Sequence, residues 1–374
     1  MSKKVIAAGH ICIDITPAFP DYGARKIEEA LLPGKLITMG EADVHSGGSV
    51  ANTGLAMKIL GADVTLRGKI GNDEFGEMIR AVLRRYDAED GLIVSEDCST
   101  SYSVVIAVPG IDRIFLHNPG ANDTFTSEDI TPDMLENAAL FHFGYPPIMR
   151  SMYENGGAEL EKLMRKARSA GAATSLDLAA VDPLSDAGRA DWKGILGRVL
   201  PYVDIFVPSI EELGFMLDRE RFDRWQEKAA GKDITEVLDL EEDIVPVADM
   251  CMEMGCRILL IKCGVPGMYL RTAGTEALAE IPVRLGLDTA AWADRERFEP
   301  SYVPDRIRSG TGAGDTSIAA FLTAMTQGRD PDMCLHLAAA EGACCVTEYD
   351  SLSGLRSLEE LADRIRAGWA KISG

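Results

Sequence analysis

Short runs of apolar residues, several closing on glycine, alternate along this chain with stretches in which apolar positions recur every three or four residues. The runs at 5–8, 139–143, 173–176, 203–207, 257–261 and 268–271 are short and mostly apolar, and they read as strands. Helical spacing marks 159–170, 332–348 and 357–371. Ala51, Leu55 and Ile59 share one predicted helix face that ends at Gly61, and Ile318, Phe321, Leu322 and Met325 form an i, i+3, i+4, i+7 stripe. Val64, Leu66, Gly68 and Ile70 alternate with Thr65, Arg67 and Lys69, which predicts a strand. Residues 101–108 and 113–117 form a predicted hairpin around Pro109-Gly110-Ile111-Asp112. In the weakly patterned stretch 15–46, residues 35–39 are the best strand candidate. Strand and helix alternating in this way predict an α/β fold with a mostly parallel sheet between two layers of helices.

Composition narrows the function classes. The 374 residues carry a formal charge of −21, which disfavours a polyanionic partner, so no nucleic acid and no acidic membrane surface is expected. Nucleotide phosphates stay compatible, because a local pocket of N–H groups and Mg²⁺ can neutralise them. Eight cysteines are scattered without a C-x-x-C pair, so neither zinc nor a redox motif is indicated. The apolar start at 5–8 is too short for a signal peptide and no run reaches transmembrane length, so a cytoplasmic protein is expected.

The densest chemistry lies at Gly310-Thr311-Gly312-Ala313-Gly314-Asp315-Thr316, immediately before the stripe that begins at Ile318. A glycine turn running into a helix leaves the first amides unpaired and aimed at whatever sits before them, a ready anion site. Asp315 stands at its mouth, either as a helix cap or as a carboxylate placed to take a proton from an attacking hydroxyl. The stretch is neither a G-x-x-x-x-G-K-[ST] loop nor a G-x-G-x-x-G fingerprint. Asp14 follows the first strand and so falls at the ligand edge of such a sheet, and the pair Gly47-Gly48 lets backbone approach a ligand closely.

Gly312-Ala313-Gly314-Asp315 resembles the C-terminal signature of the ribokinase-like (PfkB) carbohydrate kinases. The block from Gly47-Gly48 through Asn52 to Gly68, Gly71, Asp73 and Gly76 resembles the N-terminal signature of the same family, and the likeness extends from Gly9 to the last helices. It implies a three-layer αβα sandwich in one catalytic domain over 1–374, with a small β lid from approximately 12–46 and 95–120. It further implies that Gly312, Ala313 and Gly314 form an anion hole for the transferred phosphoryl group and that Asp315 is the base. Asp14, Gly47, Gly48, Asn52 and the lid residue Arg113 would hold the acceptor, while Ser209, Lys262, Gly264, Gly267 and Thr311 would meet the nucleotide. Glu212 would help organise Mg²⁺, through water.

The chain departs from the family pattern in three places. Ser209 replaces the Asn of N-x-x-E; Ser309 stands where many members have an Asp near a monovalent-cation site, which leaves potassium activation open; and Asp177-Leu178-Ala179-Ala180-Val181 lacks the Asn and Arg of the D-x-N-x-R segment of sugar-acid kinases. The stretches 218–240 and 284–300 look inserted and are expected to be surface decoration. The resemblance thus implies ATP-dependent phosphorylation of a hydroxymethyl group on a neutral sugar or small polyol. A nucleoside kinase and a non-catalytic sugar-binding regulator are the alternatives. A homodimer is expected, because a two-stranded lid leaves apolar surface and strand edges for a partner to cover.

Overall fold

The computed structural model describes residues 3–21, 23, 26–111 and 113–372. Asp112, the last turn residue of the predicted hairpin, lies outside them. In chain order the strands are β1 (Lys4–Gly9), β2 (Cys12–Pro17), β3 (Ala42–Gly47), β4 (Asp63–Arg67), β5 (Lys69–Gly71), β6 (Ile93–Ser95) and β7 (Tyr102–Ile106). They continue with β8 (Ile114–Asn118), β9 (Ala138–Gly144), β10 (Ala173–Leu176), β11 (Ile205–Phe206), β12 (Ile258–Lys262), β13 (Gly267–Thr272) and β14 (Glu296–Pro300).

The main sheet runs β14-β13-β12-β11-β10-β9-β1-β4, parallel from β12 to β4, with β13 and β14 antiparallel at one edge. The two-residue period of each strand sends alternate side chains into two cores. Val5 and Ala7 enter one, with helices Ala313–Thr326 and Pro331–Cys345; Ile6 and Ala8 enter the other, with helices Arg150–Ser169 and Ile210–Leu217. This is the α/β sandwich expected from the alternating pattern. No helix among the described residues is long and apolar enough to cross a membrane.

A second sheet, β3-β2-β7-β8, stands over the carboxyl-terminal edge of β1. Its base is tied down by the first signature block. Asp73 caps helix Glu74–Arg84 by accepting from the Gly76 amide at 2.9 Å, and also accepts from the Thr100 amide at 2.7 Å and hydroxyl at 2.6 Å, just before β7. Asn122 exchanges two hydrogen bonds with the backbone of Ile11 between β1 and β2, at 3.2 and 2.9 Å. Signature residues therefore set where the small sheet stands.

Several sequence expectations change here. No strand forms at 35–39, where Leu36 is 97% exposed and has no buried face to join; the partner of β2 is β3 instead. The predicted helix after Gly48 begins as a π-turn over Val50–Gly54, so its buried face rotates: Ala51 and Leu55 stay inside but Ile59 is 41% exposed. The strand predicted over 64–70 divides at Gly68 into β4 in the main sheet and β5, which pairs with β6. The stretch 284–300 is not surface decoration, since it supplies the edge strand β14 and buries Trp292 edge-on against Phe321 with ring centres 5.9 Å apart. Nor is 218–240, whose helix Arg219–Ala229 buries Trp225 in one of the two cores.

Helix Pro331–Cys345 carries a fully buried carboxyl, Glu341, whose one protein partner is the Arg356 amide at 3.1 Å. Burial pushes it from 4.5 up to about 8, so it is protonated in the fold at neutral pH and ionised in the unfolded chain. An acid with a raised folded pKa contributes most below its unfolded value, and that contribution falls as pH rises toward the folded value. We expect the melting temperature of the Glu341→Gln protein to fall less than that of wild type between pH 4.5 and about 8. Calorimetry across that window checks this; parallel curves would exclude Glu341 as the titrating group.

Candidate active site

Chain turns after β9, β10, β11 and β12 meet the small sheet and the start of helix Ala313–Thr326 around one cavity of about 1330 Å³. It lies beyond the carboxyl ends of the parallel strands, where side chains project past the last ladder hydrogen bonds.

The helix start is built for an anion. Gly312 takes a left-handed φ of 77° as N-cap, and no side chain caps the helix. A Cβ there would come within 2.3 Å of Ser351 Cβ, so only glycine fits the turn. Gly312, Gly314 and Asp315 line the cavity, and Ala313 is the first helical residue. The positive end of the helix dipole therefore faces the space a phosphate would need.

Asp315 is 6% exposed, and a carboxylate so buried needs donors. Asn52 Nδ2 and Thr53 Oγ1 each donate at 3.1 Å, to Oδ2 and Oδ1 respectively, and the Tyr145 hydroxyl lies 2.7 and 2.8 Å from the two oxygens. Ser351 in turn donates to Asn52 Oδ1 at 2.9 Å, which orients the Asn52 amide with its nitrogen toward Asp315. A carboxylate held this way beside an anion site can accept a proton from a hydroxyl brought between them.

Lys262, the last residue of β12, lies on the other side of the helix start; its Nζ is 3.7 Å from where a Cβ on Gly314 would sit. It pairs with Asp177, just past β10, at 2.7 Å. Burial works against the Lys262 ammonium, but the carboxylates of Asp177, Glu212 and Asp315 outweigh it and hold its pKa above the ordinary lysine value. Burial raises the Asp177 carboxyl as well, and the Lys262 ammonium at 2.7 Å opposes that rise, so the two stand as an ion pair. The site thus offers one fixed cation beside the helix amides.

Of the other predicted residues, Asp14, Gly48, Asn52, Arg113, Ser209, Glu212, Gly264 and Thr311 line the same cavity. Asp14 follows β1, as expected, and lies within β2, opposite His45 of β3. Arg113 reaches across from the start of β8 to donate to the Thr311 hydroxyl. Ser309 accepts from the Thr311 amide at 3.1 Å and so shapes the glycine turn. Ser209 and Glu212 form a reciprocal cap on helix Ile210–Leu217: Glu212 Oε2 accepts from the Ser209 amide at 2.7 Å, and Ser209 Oγ from the Glu212 amide at 3.2 Å.

Gly47 and Gly267 do not line the cavity. A Cβ on Gly47 would strike Asp14 Oδ2 at 2.0 Å, so Gly47 makes room for Asp14. Gly267, at φ 144°, lets β13 approach β14, since a Cβ would meet the Glu299 carbonyl at 2.1 Å. Sequence reasoning missed Tyr145, Thr53, Ser351 and the Asp177–Lys262 pair. Only Tyr145 had a usable signal: it follows the glycine that ends a central strand, the same edge position that singled out Asp14.

Comparison with known proteins gives this arrangement a family. A family profile described as pfkB family carbohydrate kinase matches residues 3–357. The chain belongs to the PfkB carbohydrate kinases, a family of phosphotransferases. It is 22% identical over 301 residues to an uncharacterized sugar kinase of Archaeoglobus fulgidus, covering 80% of this chain and 98% of that one. It is 26% identical over 307 residues to fructokinase-2 of Oryza sativa subsp. japonica, covering 79% and 83%. Among solved structures, Arabidopsis thaliana ribokinase complexed with ribose and ATP superposes with a TM-score of 0.70 at 18% identity, covering 97% of this chain and 98% of that one. Xylella fastidiosa fructokinase with bound ATP superposes at 0.70 and 20% identity, covering 98% and 99%. At these identities the superpositions establish the ribokinase fold for this kinase.

Removing one partner of a buried ion pair strands the other charge. For Lys262→Met we expect roughly 3–5 kcal/mol lower stability in urea unfolding, with Asp177→Asn in the same chain recovering much of it. Equal stability of Lys262→Met and wild type would show that the pair is solvated rather than buried.

Proposed function

We propose that this kinase transfers the γ-phosphoryl group of ATP to a primary hydroxyl of a neutral sugar or small polyol. The observation that carries the reading is Asp315, a carboxylate held by three neighbouring side chains at the uncapped start of a buried helix. Asp315 would take the proton of the attacking hydroxyl as its oxygen bonds to phosphorus. The amides at Gly312–Gly314 and the Lys262 ammonium would meet the charge on the phosphoryl oxygens. Asp14 and Gly48, at the foot of the small sheet, would hold the acceptor, and Asn52 would act through Asp315. Arg113, which spans from the small sheet to Thr311, would close that sheet over the site as a lid and keep water out.

Among the described residues no three His, Cys, Asp or Glu side chains gather into a metal cage. That fits Mg²⁺, which binds mainly to phosphates and water rather than to an all-protein site. Glu212 has one oxygen committed to its helix cap and the other left for a magnesium-bound water. When bound, the ion would neutralise charge on the phosphates.

A neutral acceptor is favoured because the cavity's cations are already engaged. Lys262 meets Asp177, Arg189 meets Asp186 at 2.6 Å, Arg150 meets Asp123 at 3.6 Å and Arg113 meets Thr311. The rice relative is named a fructokinase and the Arabidopsis structure holds ribose, so D-fructose and D-ribose are the first acceptors to try. One observation supports a nucleoside instead: Phe215 and Phe222, an edge-to-face pair 5.7 Å apart, line the far arm of the cavity. An ADP-release screen over sugars, sugar acids, sugar phosphates and nucleosides separates these. Turnover confined to anionic sugars would exclude the neutral-acceptor reading.

Asn keeps the shape of Asp and one acceptor oxygen but cannot accept the proton. Asp315→Asn should lower kcat about 10²–10⁴-fold, with unchanged melting and ATP binding. Turnover within about threefold of wild type, far short of a general base's contribution, would leave Asp315 a buried acceptor for Asn52, Thr53 and Tyr145.

The small sheet presents Ile114, Phe115 and Leu116 on the edge strand β8 at 38%, 55% and 53% exposure, and Val44 on the opposite edge strand at 45%. Such an edge invites a partner strand, and we expect a homodimer that covers it. Light scattering at micromolar concentration tests this, and a monomer there would count against it.

A further inference from the structure

Tyr145 stands out in the site. It is the residue immediately after β9, and its backbone is left-handed, at φ 69° and ψ 37°, although it is neither glycine nor asparagine. Bulky side chains avoid that region, and such residues persist where their surroundings over-determine them, often at functional sites. Here Gly144 precedes it in the ladder and the buried Pro146 and Pro147 follow, which together aim the ring across the cavity. Its hydroxyl lies 2.7 and 2.8 Å from the two oxygens of Asp315, close to the bisector of that carboxylate. Burial, and after it the charge of Asp315, push the phenol well above its ordinary pKa, so it stays a donor.

A carboxylate has room for about four donors. Asn52 and Thr53 approach Asp315 from the chain that follows Gly48 and leave the bisector to Tyr145. A hydroxyl that gives its proton to Asp315 has to approach those same oxygens from the cavity, and so would a water molecule.

We propose that Tyr145 is a positioning residue that stands in for the acceptor hydroxyl. Before an acceptor binds, its hydroxyl holds the Asp315 carboxylate in place and closes it to water. An arriving sugar hydroxyl displaces the phenol and takes over its hydrogen bonds, and only then is the carboxylate available to take up a proton. This coupling suppresses wasteful ATP hydrolysis. It rests on the reading of Asp315 as the base, and it assigns the chain a safeguard that operates before acceptor binding.

The test compares ADP release by the full chain with MgATP and no acceptor for wild type, Tyr145→Phe, Asp315→Asn and the double variant, alongside turnover of D-fructose and D-ribose. Tyr145→Phe keeps the ring and loses a charge-assisted hydrogen bond, so acceptor-free hydrolysis should rise roughly tenfold. The rise should vanish in the double variant, because it needs Asp315. With whichever sugar is turned over, the KM of Tyr145→Phe should fall, since the sugar no longer displaces a phenol. A merely structural role would lower activity and could not raise hydrolysis that depends on Asp315. Hydrolysis by Tyr145→Phe at or below the wild-type rate, or a rise that survives Asp315→Asn, overturns the proposal. If Tyr145→Phe does not fold, Tyr145→Ser, which leaves space for water at the same place, is read the same way; failure of both to fold makes Tyr145 a packing residue and also overturns it. A dead Asp315→Asn with an unchanged Tyr145→Phe defeats this proposal alone, whereas an active Asp315→Asn defeats the base reading beneath it.

Discussion

The site depends on one constraint: a carboxylate buried at the positive end of a helix must be held by donors that come from elsewhere. Every residue of helix Ala313–Thr326 from Asp315 onward is buried, so the helix cannot shift to expose Asp315 without opening a core. The donors come from the π-turn at Val50–Gly54 and from the end of β9, with Ser351 behind them. Segments more than 250 residues apart, by the separation of Asn52 and Asp315, therefore converge on two oxygen atoms. The π-turn has a use in this setting. It carries both Asn52 and Thr53, the adjacent residues whose side chains reach the same carboxylate.

Electrostatics gives the site its direction. The chain as a whole is strongly acidic, yet the cavity holds a lysine with carboxylates on several sides and a helix start with no side-chain cap. Negative groups around Lys262 keep it protonated, and Asp177 fixes its position from below the sheet edge. A phosphate entering the cavity would meet that cation and the helix start together. The remaining cavity arginines are engaged with carboxylates or a hydroxyl, so positive potential is concentrated at the helix start.

The signature residues divide into two physical kinds. Asp73 is a clamp, joining a helix cap to the root of the small sheet through Thr100; Gly267 is a spacer, admitting β13 to β14. Gly312 and Asp315 form the cavity wall itself. A motif match alone does not distinguish these kinds, because a glycine needed for a tight approach between strands and one needed beside a phosphate look alike in a sequence. The expectation that Gly267 meets a nucleotide gave way for this reason. Asn52, expected to hold the acceptor, lines the cavity and also donates to Asp315 and accepts from Ser351.

Local pattern determined a great deal of this protein. Short, mostly apolar runs alternating with amphipathic helical stretches point to a parallel sheet covered by helices on both faces. The glycine turn before Ile318 likewise announces an uncapped helix end, because backbone geometry there is a matter of a few consecutive residues. Tertiary structure alone decided what depends on distance through space. Tyr145 carries no motif, and its meeting with Asp315 follows from β9 ending opposite the start of a helix 170 residues away. Asp177 and Lys262 pair because β10 and β12 end at the same sheet edge with β11 between them. Ile59 faces outward because one π-turn rotated its helix, and Leu36 found no strand because nothing packs against it. Periodicity records which side of an element is apolar, whereas the convergence of single side chains is set by where strand ends and helix starts fall in three dimensions.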